Sequence, residues 1–81
     1  MTYEDSDKNG AIYYVPRLRT LRIAAKLSIN RLAREAEVGR DLVSSLERHH
    51  PHTLIKVRAI VDVLAKYNPA IDITYEITTH T

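Results

Sequence analysis

The sequence predicts a small, mainly α-helical domain of four to five helices that ends in a β-strand. Apolar residues recur every three or four positions through most of residues 17–67, which is the spacing of amphipathic helices. Gly39, Pro51 and Pro69 divide this stretch into separate helices. After Pro69 the apolar residues change to strict alternation, which is typical of a strand. A chain of 81 residues has room for one small domain.

The composition limits the classes of protein to which the chain can belong. It has no cysteine, which excludes disulfides and thiolate metal sites, and it has no Trp or Phe. A chain of this size buries a small core, so we expect a homodimer to contribute to its stability. No apolar run approaches the ~18 residues that a membrane span needs. Residues 1–10 are polar and acidic, unlike a signal peptide. We therefore expect a cytoplasmic protein with no membrane partner.

The charges are unevenly distributed along the chain, although the net charge is only +2. Residues 16–48 carry eight basic and four acidic side chains, and residues 49–66 carry three basic and one acidic. Residues 1–10 carry three acids and one Lys, and residues 67–81 carry two acids and no Lys or Arg. The basic central segment indicates a surface for a polyanion, and the alternative is an ordinary solvated helical surface.

The N-terminal part is predicted to hold an arm, a short strand and the first helix. Residues 1–10 are predicted to be a disordered acidic arm, and residues 11–15, "AIYYV", are a candidate short strand. Pro16 suits the first turn of a helix, where its missing N–H group costs no hydrogen bond. The first helix has apolar residues at Leu18, Leu21, Ala24 or Ala25, and Leu27, with Arg19, Arg22 and Lys26 beside them.

The middle of the chain is predicted to form two short helices around a tight corner. Ser28 is a favourable N-cap for the first of them. Gly39 would weaken a single continuous helix, whereas it suits a break between two helices, with Val38 filling the gap. The inward-facing residues are Leu32, Ala33 and Ala36 in the first helix, and Val43 and Leu46 in the second. This pattern predicts a helix-turn-helix, a unit whose second helix can lie in a DNA major groove.

The last part of the chain is predicted to be one more helix followed by a strand. Thr53 caps the helix, whose apolar stripe is Leu54, Val57, Ile60, Val61 and Leu64. Residues 69–81 are predicted to be a dimerisation strand, because its apolar residues alternate with polar ones at Ile71, Ile73, Tyr75 and Ile77. The backbone of such a strand needs a partner, which could be residues 11–15, the same strand of a second copy, or both.

Several of these residues together resemble one family. The spacing over residues 17–66 resembles the phage-repressor or Cro-type (XRE-like) helix-turn-helix family of transcriptional regulators. The residues that carry the resemblance are Leu18-Arg19, Leu21-Arg22, Leu27-Ser28, Leu32-Ala33, Val38, Val43-Ser44, Glu47-Arg48, Leu54 and Ile60. It implies a lambda-repressor-like domain over residues 11–68. Three positions depart from the family: Glu37 replaces a glycine that often has positive φ, Ile29 replaces a phosphate-binding Gln, and Gly39 replaces a Ser or Thr cap.

The resemblance also implies which residues bind DNA. The implied base contacts are Arg40, Asp41, Ser44 and Ser45; Arg40 can bind guanine O6 and N7, and Asp41 can accept from cytosine N4. Alternatively, Arg40 and Asp41 pair with each other or with a neighbouring helix, and the serines belong to a solvated helix face. The implied phosphate contacts are Ser28, Asn30, Arg31, Arg34, Arg48, His50 and His52. Arg22 and Glu47 match a structural ion pair of the family. His49, His50 and His52 also suggest a metal site, but Pro51 would break the helical spacing of the ligands, so we expect no metal.

The resulting expectation is a sequence-specific DNA-binding regulator, most simply a repressor or switch of a phage or mobile element. It would bind an inverted-repeat operator in double-stranded DNA as a homodimer, and would associate with the nucleoid when bound. We expect no enzymatic activity and no cofactor, since no nucleophile or phosphate-binding motif is present in the sequence. Two alternatives stay open: an antitoxin-type regulator that also binds a toxin or second regulatory protein, and a protein-interaction domain that has lost DNA binding.

Overall fold

The computed structural model of the protein describes residues 11–79. It contains five helices and a two-stranded antiparallel sheet, so the prediction of a mainly α-helical chain is confirmed. The elements in chain order are β1 (Tyr13–Tyr14), α1 (Leu18–Ala24), α2 (Ile29–Ala36), α3 (Arg40–Glu47), α4 (Leu54–Tyr67), α5 (Ile73–Glu76) and β2 (Thr78–Thr79). The predicted arm at residues 1–10 lies outside the described residues. No helix of the described part is long and apolar enough to cross a membrane.

The first three helices all end in the same way, with one residue in the left-handed conformation. These residues are Lys26, Glu37 and His49, with φ of 62°, 59° and 66°. After Glu37, for example, the Val38 N–H donates to the Ala33 carbonyl oxygen at 3.0 Å, which closes the last turn of α2. The positive φ expected at Glu37 is therefore present. Because none of the three is glycine, each holds a conformation that costs about 1 kcal/mol or more.

The core lies where α2, α3 and α4 meet, and α1 covers it from one side. Its fully buried side chains are Val15, Leu18, Leu32, Val43, Leu46, Val57, Ile60, Val61 and Leu64. Ala33 is also buried in α2, and its small side chain allows α3 to approach closely. The predicted stripe of α4 needs one correction: Leu54 is partly exposed, whereas Val63 is buried. The first turn of α4 therefore presents an apolar side chain to the outside of the molecule.

The predicted C-terminal strand over residues 69–81 is wrong for most of its length. Ile73–Glu76 is a helical turn, α5, whose N-terminus is capped by Asp72: its side chain accepts a hydrogen bond from the Tyr75 N–H at 3.2 Å. Only Thr78–Thr79 is a strand. The four residues assigned to dimerisation do not form one row, because Ile71, Ile73 and Ile77 pack against the core of their own chain while Tyr75 is exposed.

The strand partner is found within the same chain. β2 pairs with β1 in the register Tyr13↔Thr79 and Tyr14↔Thr78. On its other side, Tyr13 forms an isolated bridge with His52, in which the two backbone N–H groups donate to the opposite carbonyl oxygens at 3.0 and 2.8 Å. The short strand that residues 11–15 suggested is therefore present, and it joins both ends of the described chain to the segment after α3.

Candidate nucleic-acid interface

The corner between α2 and α3 is a three-residue turn, Glu37 to Gly39. α2 begins at the predicted cap, where the Ser28 side chain accepts a hydrogen bond from the Arg31 N–H at 3.0 Å. α3 begins at Gly39, which has φ −73° and no side chain to cap the helix. Val38 is half-buried and packs against the core, as predicted. The first N–H groups of α3 are therefore not capped by a side chain.

Arg40 and Asp41 lie in the first turn of α3, and both side chains are exposed. Neither makes a hydrogen bond or ion pair with any residue of the described part of the chain. A guanidinium and a carboxylate that lie next to each other in sequence, and do not pair, are both available to a ligand. These two residues are the predicted base contacts that the structure leaves free within residues 11–79.

The other two predicted base contacts, Ser44 and Ser45, are half-buried and already bonded. Arg48 Nη1 donates to Ser44 Oγ at 3.0 Å. Ser45 Oγ lies 3.4 Å from His50 Nδ1 and 3.2 Å from His52 Nε2. The structure thus brings two predicted base contacts together with three predicted phosphate contacts, in two small hydrogen-bonded groups. These bonds hold both serines in place, but the Ser44 hydroxyl only accepts from Arg48 and keeps its own proton to donate to a ligand.

The predicted Arg22–Glu47 ion pair is present and largely shielded from water. Arg22 Nε and Nη2 both donate to the Glu47 carboxylate, the second at 3.4 Å, and the two side chains are 12% and 8% exposed. Arg22 Nη1 also donates to the Leu27 carbonyl oxygen at 2.8 Å. A carboxylate at the C-terminus of a helix faces the negative end of the helix dipole. Arg22 offsets that repulsion and attaches the last turn of α3 to the end of α1.

The remaining predicted phosphate contacts differ in their availability. Asn30 and Arg34 are exposed and have no side-chain partner among residues 11–79. Arg31 instead pairs with Glu35, which also accepts a hydrogen bond from the Tyr67 hydroxyl at 2.7 Å. The hydrogen bonds from Tyr67 and Arg31 lower the pKa of Glu35, and the bond to Glu35 raises the pKa of Tyr67. Arg31 is therefore partly neutralised on its own helix.

The histidines after α3 have structural roles. His49 Nε2 lies 3.2 Å from the Pro16 carbonyl oxygen, and its ring packs against Tyr14 with centroids 5.4 Å apart. Burial lowers the pKa of His52, with smaller contributions from the charges of Lys56 and His50. Within residues 11–79 no group of three potential ligands is placed to hold a metal ion.

Among the polar contacts that were not predicted from the sequence, two connect carboxylates to distant parts of the chain. The buried Glu76 carboxylate binds the Arg17 guanidinium through both oxygens, with Arg17 Nε donating to Oε1 at 3.1 Å. This pair raises the pKa of Arg17 and fastens α5 to the start of α1. The Tyr67–Glu35 hydrogen bond similarly connects the end of α4 to α2. The partners are 59 and 32 residues apart, so no local sequence pattern signals either contact.

Comparisons of the chain with protein-family models, curated proteins and solved structures found no match. The features of the molecule that bear on its function are the geometry of α2, the turn and α3, and the charges that these elements expose.

Proposed function

We propose that this protein is a sequence-specific DNA-binding transcriptional regulator in which α2 and α3 form a helix-turn-helix. The observation that carries the proposal is the free, exposed pair of Arg40 and Asp41 in the first turn of α3. In DNA-binding units of this kind the N-terminal residues of the second helix face the base edges. The major groove is about 12 Å wide, which accommodates a helix of about 10–12 Å diameter.

Arg40 and Asp41 supply complementary chemistry for base recognition. A guanidinium donates two parallel hydrogen bonds to O6 and N7 of guanine, and a carboxylate accepts one from N4 of cytosine. Neither side chain has to leave a partner within residues 11–79, so each contact to a base replaces only hydrogen bonds to water. Ser44 could donate its hydroxyl proton to a base while it still accepts from Arg48, whereas Ser45 already lies between His50 and His52.

The predicted phosphate contacts also differ in whether each side chain already has a partner within the described chain. Arg34 and Asn30 on α2 are free within the described chain and would bind the backbone directly. Arg31 is paired with Glu35, which offsets its charge, and Arg48 uses one of its donors on Ser44, so each would contribute less than Arg34. The Ser28 hydroxyl already caps α2. The uncapped N–H groups at Gly39 offer a further donor to a phosphate or a base.

The regulator would work as a homodimer on an inverted repeat, with two copies of α3 about 34 Å apart along the duplex. Bound in this way at a promoter, it would act as a repressor or switch and would be found with the nucleoid. The antitoxin alternative has two possible supports, a C-terminal strand that pairs across a dimer and an acidic segment at residues 1–10 that could bind a basic partner. The first is absent, because Ile73–Glu76 is a helical turn and β2 pairs within its own chain. The second lies outside the described residues.

The experiment is selection of duplexes from a random library by the purified protein, followed by affinity measurements on the best site. We expect Arg40→Ala to cost about 1–3 kcal/mol on that site and to relax the choice at one base pair. Arg34→Ala should weaken all duplexes to a similar extent and reduce the slope of log K against log salt by about one. Lys66→Ala, which removes a charge at the far end of α4, is the control and should have little effect.

Two results would refute the proposal. One is the absence of any duplex that the protein binds better than unrelated DNA. The other is normal binding by both the Arg40 and the Arg34 variant, since these two residues define the assigned face. Copurification of a second protein, with no duplex selected, would favour the protein-interaction alternative.

A further inference from the structure

The first half of α4 exposes an apolar surface that no described residue covers. Ile55 is 76% exposed, and Leu54 beside it is partly exposed. Together with three neighbours on the same side of the helix they line a shallow depression of about 480 Å³. We define the α4 patch as these five residues: Leu54, Ile55, Arg58, Ala59 and Asp62. The two exposed apolar side chains are adjacent and are continued by Ala59, so they form one contiguous apolar surface, which is the kind of feature that marks an interaction site.

We propose that a second copy of this chain packs on the α4 patch through a two-fold axis, with α4 against α4. This inference rests on the proposed function for its purpose, since it supplies the homodimer that an inverted-repeat operator requires. It replaces the C-terminal residues, which are packed on their own chain, as the dimerisation surface.

The shape of the patch suits contact with itself. A two-fold interface places one surface against the same surface, so it must contain both a projection and the cavity that receives it. Ile55 is the projection, and it stands between the depression of the α4 patch and a second one of about 400 Å³ that includes Val38, Leu42 and Ala59. Ala59 lines both, and its small side chain allows two helices to approach closely where they cross.

The charges of the patch are also complementary to themselves. Arg58 and Asp62 are both at least half exposed, and within one chain they are joined only by a 3.9 Å contact. If two antiparallel α4 helices cross at Ala59, residue 58 of one copy lies opposite residue 60 of the other. Asp62 of the second copy is then two positions away, or about 3 Å along the axis at 1.5 Å per residue, within reach of an arginine. The two-fold axis forms this ion pair twice.

The first experiment measures the mass of the full chain by sedimentation equilibrium over a range of concentrations. We expect a monomer–dimer equilibrium for the unaltered protein. Ile55→Asp should raise the dimer dissociation constant by at least about tenfold, because it replaces an apolar side chain of the interface with a charge. Ile23→Asp is the matched control: Ile23 is 53% exposed on α1, outside the patch, and its variant should dimerise normally. Circular dichroism verifies that both variants are folded.

The second experiment tests the register through the charges. Arg58→Asp and Asp62→Arg should each weaken self-association, because each variant places like charges opposite one another. In an equimolar mixture, position 58 of either variant meets the opposite charge at position 62 of the other. The mixture should therefore form a heterodimer more tightly than either variant forms a homodimer. This recovery does not depend on how the single variants affect the stability of the monomer.

Three outcomes would overturn the inference: a monomeric protein at all concentrations, a normal dimer of the Ile55→Asp variant, or no recovery in the mixture. If the protein is a monomer, the α4 patch would bind residues 1–10 or another protein instead of a second copy. DNA binding and dimerisation are measured in separate experiments, so one proposal can fail while the other holds. A monomeric variant that still selects one half-site would preserve the proposed function, whereas a dimer that behaves as expected and binds no duplex would preserve only the interface.

Discussion

Replacement of Glu47 by alanine tests whether the ion pair between α1 and α3 holds the domain together. Glu47 and Arg22 are 8% and 12% exposed, so the substitution leaves a guanidinium in a site with little access to water. Arg22 loses both hydrogen bonds to the carboxylate and keeps one, to the Leu27 carbonyl oxygen. The folded chain then contains a desolvated guanidinium without its counter-ion, which lowers the free energy of unfolding.

The expected loss of stability is large for a domain of this size. Removing one partner of a buried ion pair costs about 3–5 kcal/mol, and the remaining bond to Leu27 places Glu47→Ala at about 3 kcal/mol. A domain of 81 residues has a free energy of unfolding of about 4–12 kcal/mol at 0.05–0.15 kcal/mol per residue. At about 4–8 °C per kcal/mol, the midpoint of thermal unfolding should fall by about 12–24 °C.

The assay is urea unfolding followed by circular dichroism, at one fixed protein concentration because dimerisation would add to the apparent stability. Arg31→Ala is the control, since it removes the Arg31–Glu35 pair, which has one well-exposed partner and should contribute far less to stability than the Arg22–Glu47 pair. The double substitution Arg22→Met with Glu47→Leu should recover part of the loss, because it leaves no unpaired charge. A loss below about 1 kcal/mol for Glu47→Ala would refute the reasoning, since this is the range of exposed pairs.

Three further predictions concern single residues. Glu37→Gly should raise the free energy of unfolding by about 0.5–1 kcal/mol, because glycine adopts φ 59° without strain; an equal gain in Glu37→Ala would exclude this cause. Thr53→Val should leave stability unchanged or higher, because Thr53 Oγ1 is buried and has no hydrogen-bond partner in the described chain; a loss of about 1 kcal/mol in urea unfolding would show that the hydroxyl caps α4 after all. Finally, stability should fall as the pH drops below about 6.5, the ordinary pKa of histidine, because the lowered pKa of His52 lets the unfolded chain bind the proton first. Unfolding measured between pH 7 and pH 5 should lose part of this dependence in His52→Gln, and an unchanged profile would contradict the assignment.

The helices could be predicted because their signals are local. Ser28 is an N-cap whose side chain bonds the backbone three residues later, and Gly39 interrupts a helical pattern at the point where α3 begins. The Arg22–Glu47 pair could be placed only through the family resemblance, since the partners are 25 residues apart. Thr53 shows the limit of a local rule: it stands at the N-cap position of α4, but its hydroxyl is buried without a partner.

The C-terminal segment could not be predicted, because its apolar residues satisfy two periods at once. Ile73 and Ile77 are two steps apart in a strand pattern and also four residues apart, which places them on one side of a helical turn. Asp72 decides between these structures by capping α5, and the long-range pair with Arg17 allows the carboxylate of Glu76 to be buried. In the predicted strand, Glu76 lies on the polar, exposed face. Its burial depends on the ion pair with Arg17, which is 59 positions away and which no local pattern indicates.

The two ends of α3 differ in how firmly they are held, and the difference agrees with the proposed role. At the C-terminal end, Glu47 binds Arg22, and the bridge between His52 and Tyr13 fixes the segment that follows. At the N-terminal end, Gly39 provides no side-chain cap, and Arg40 extends freely from the described chain. Because Val43 and Leu46 also pack α3 on the core, the helix can present its exposed N-terminal side chains to a duplex while its orientation stays fixed. Substitutions at the anchored end should therefore lower stability and weaken binding to all duplexes alike, whereas substitutions of Arg40 should change the preferred sequence at constant stability.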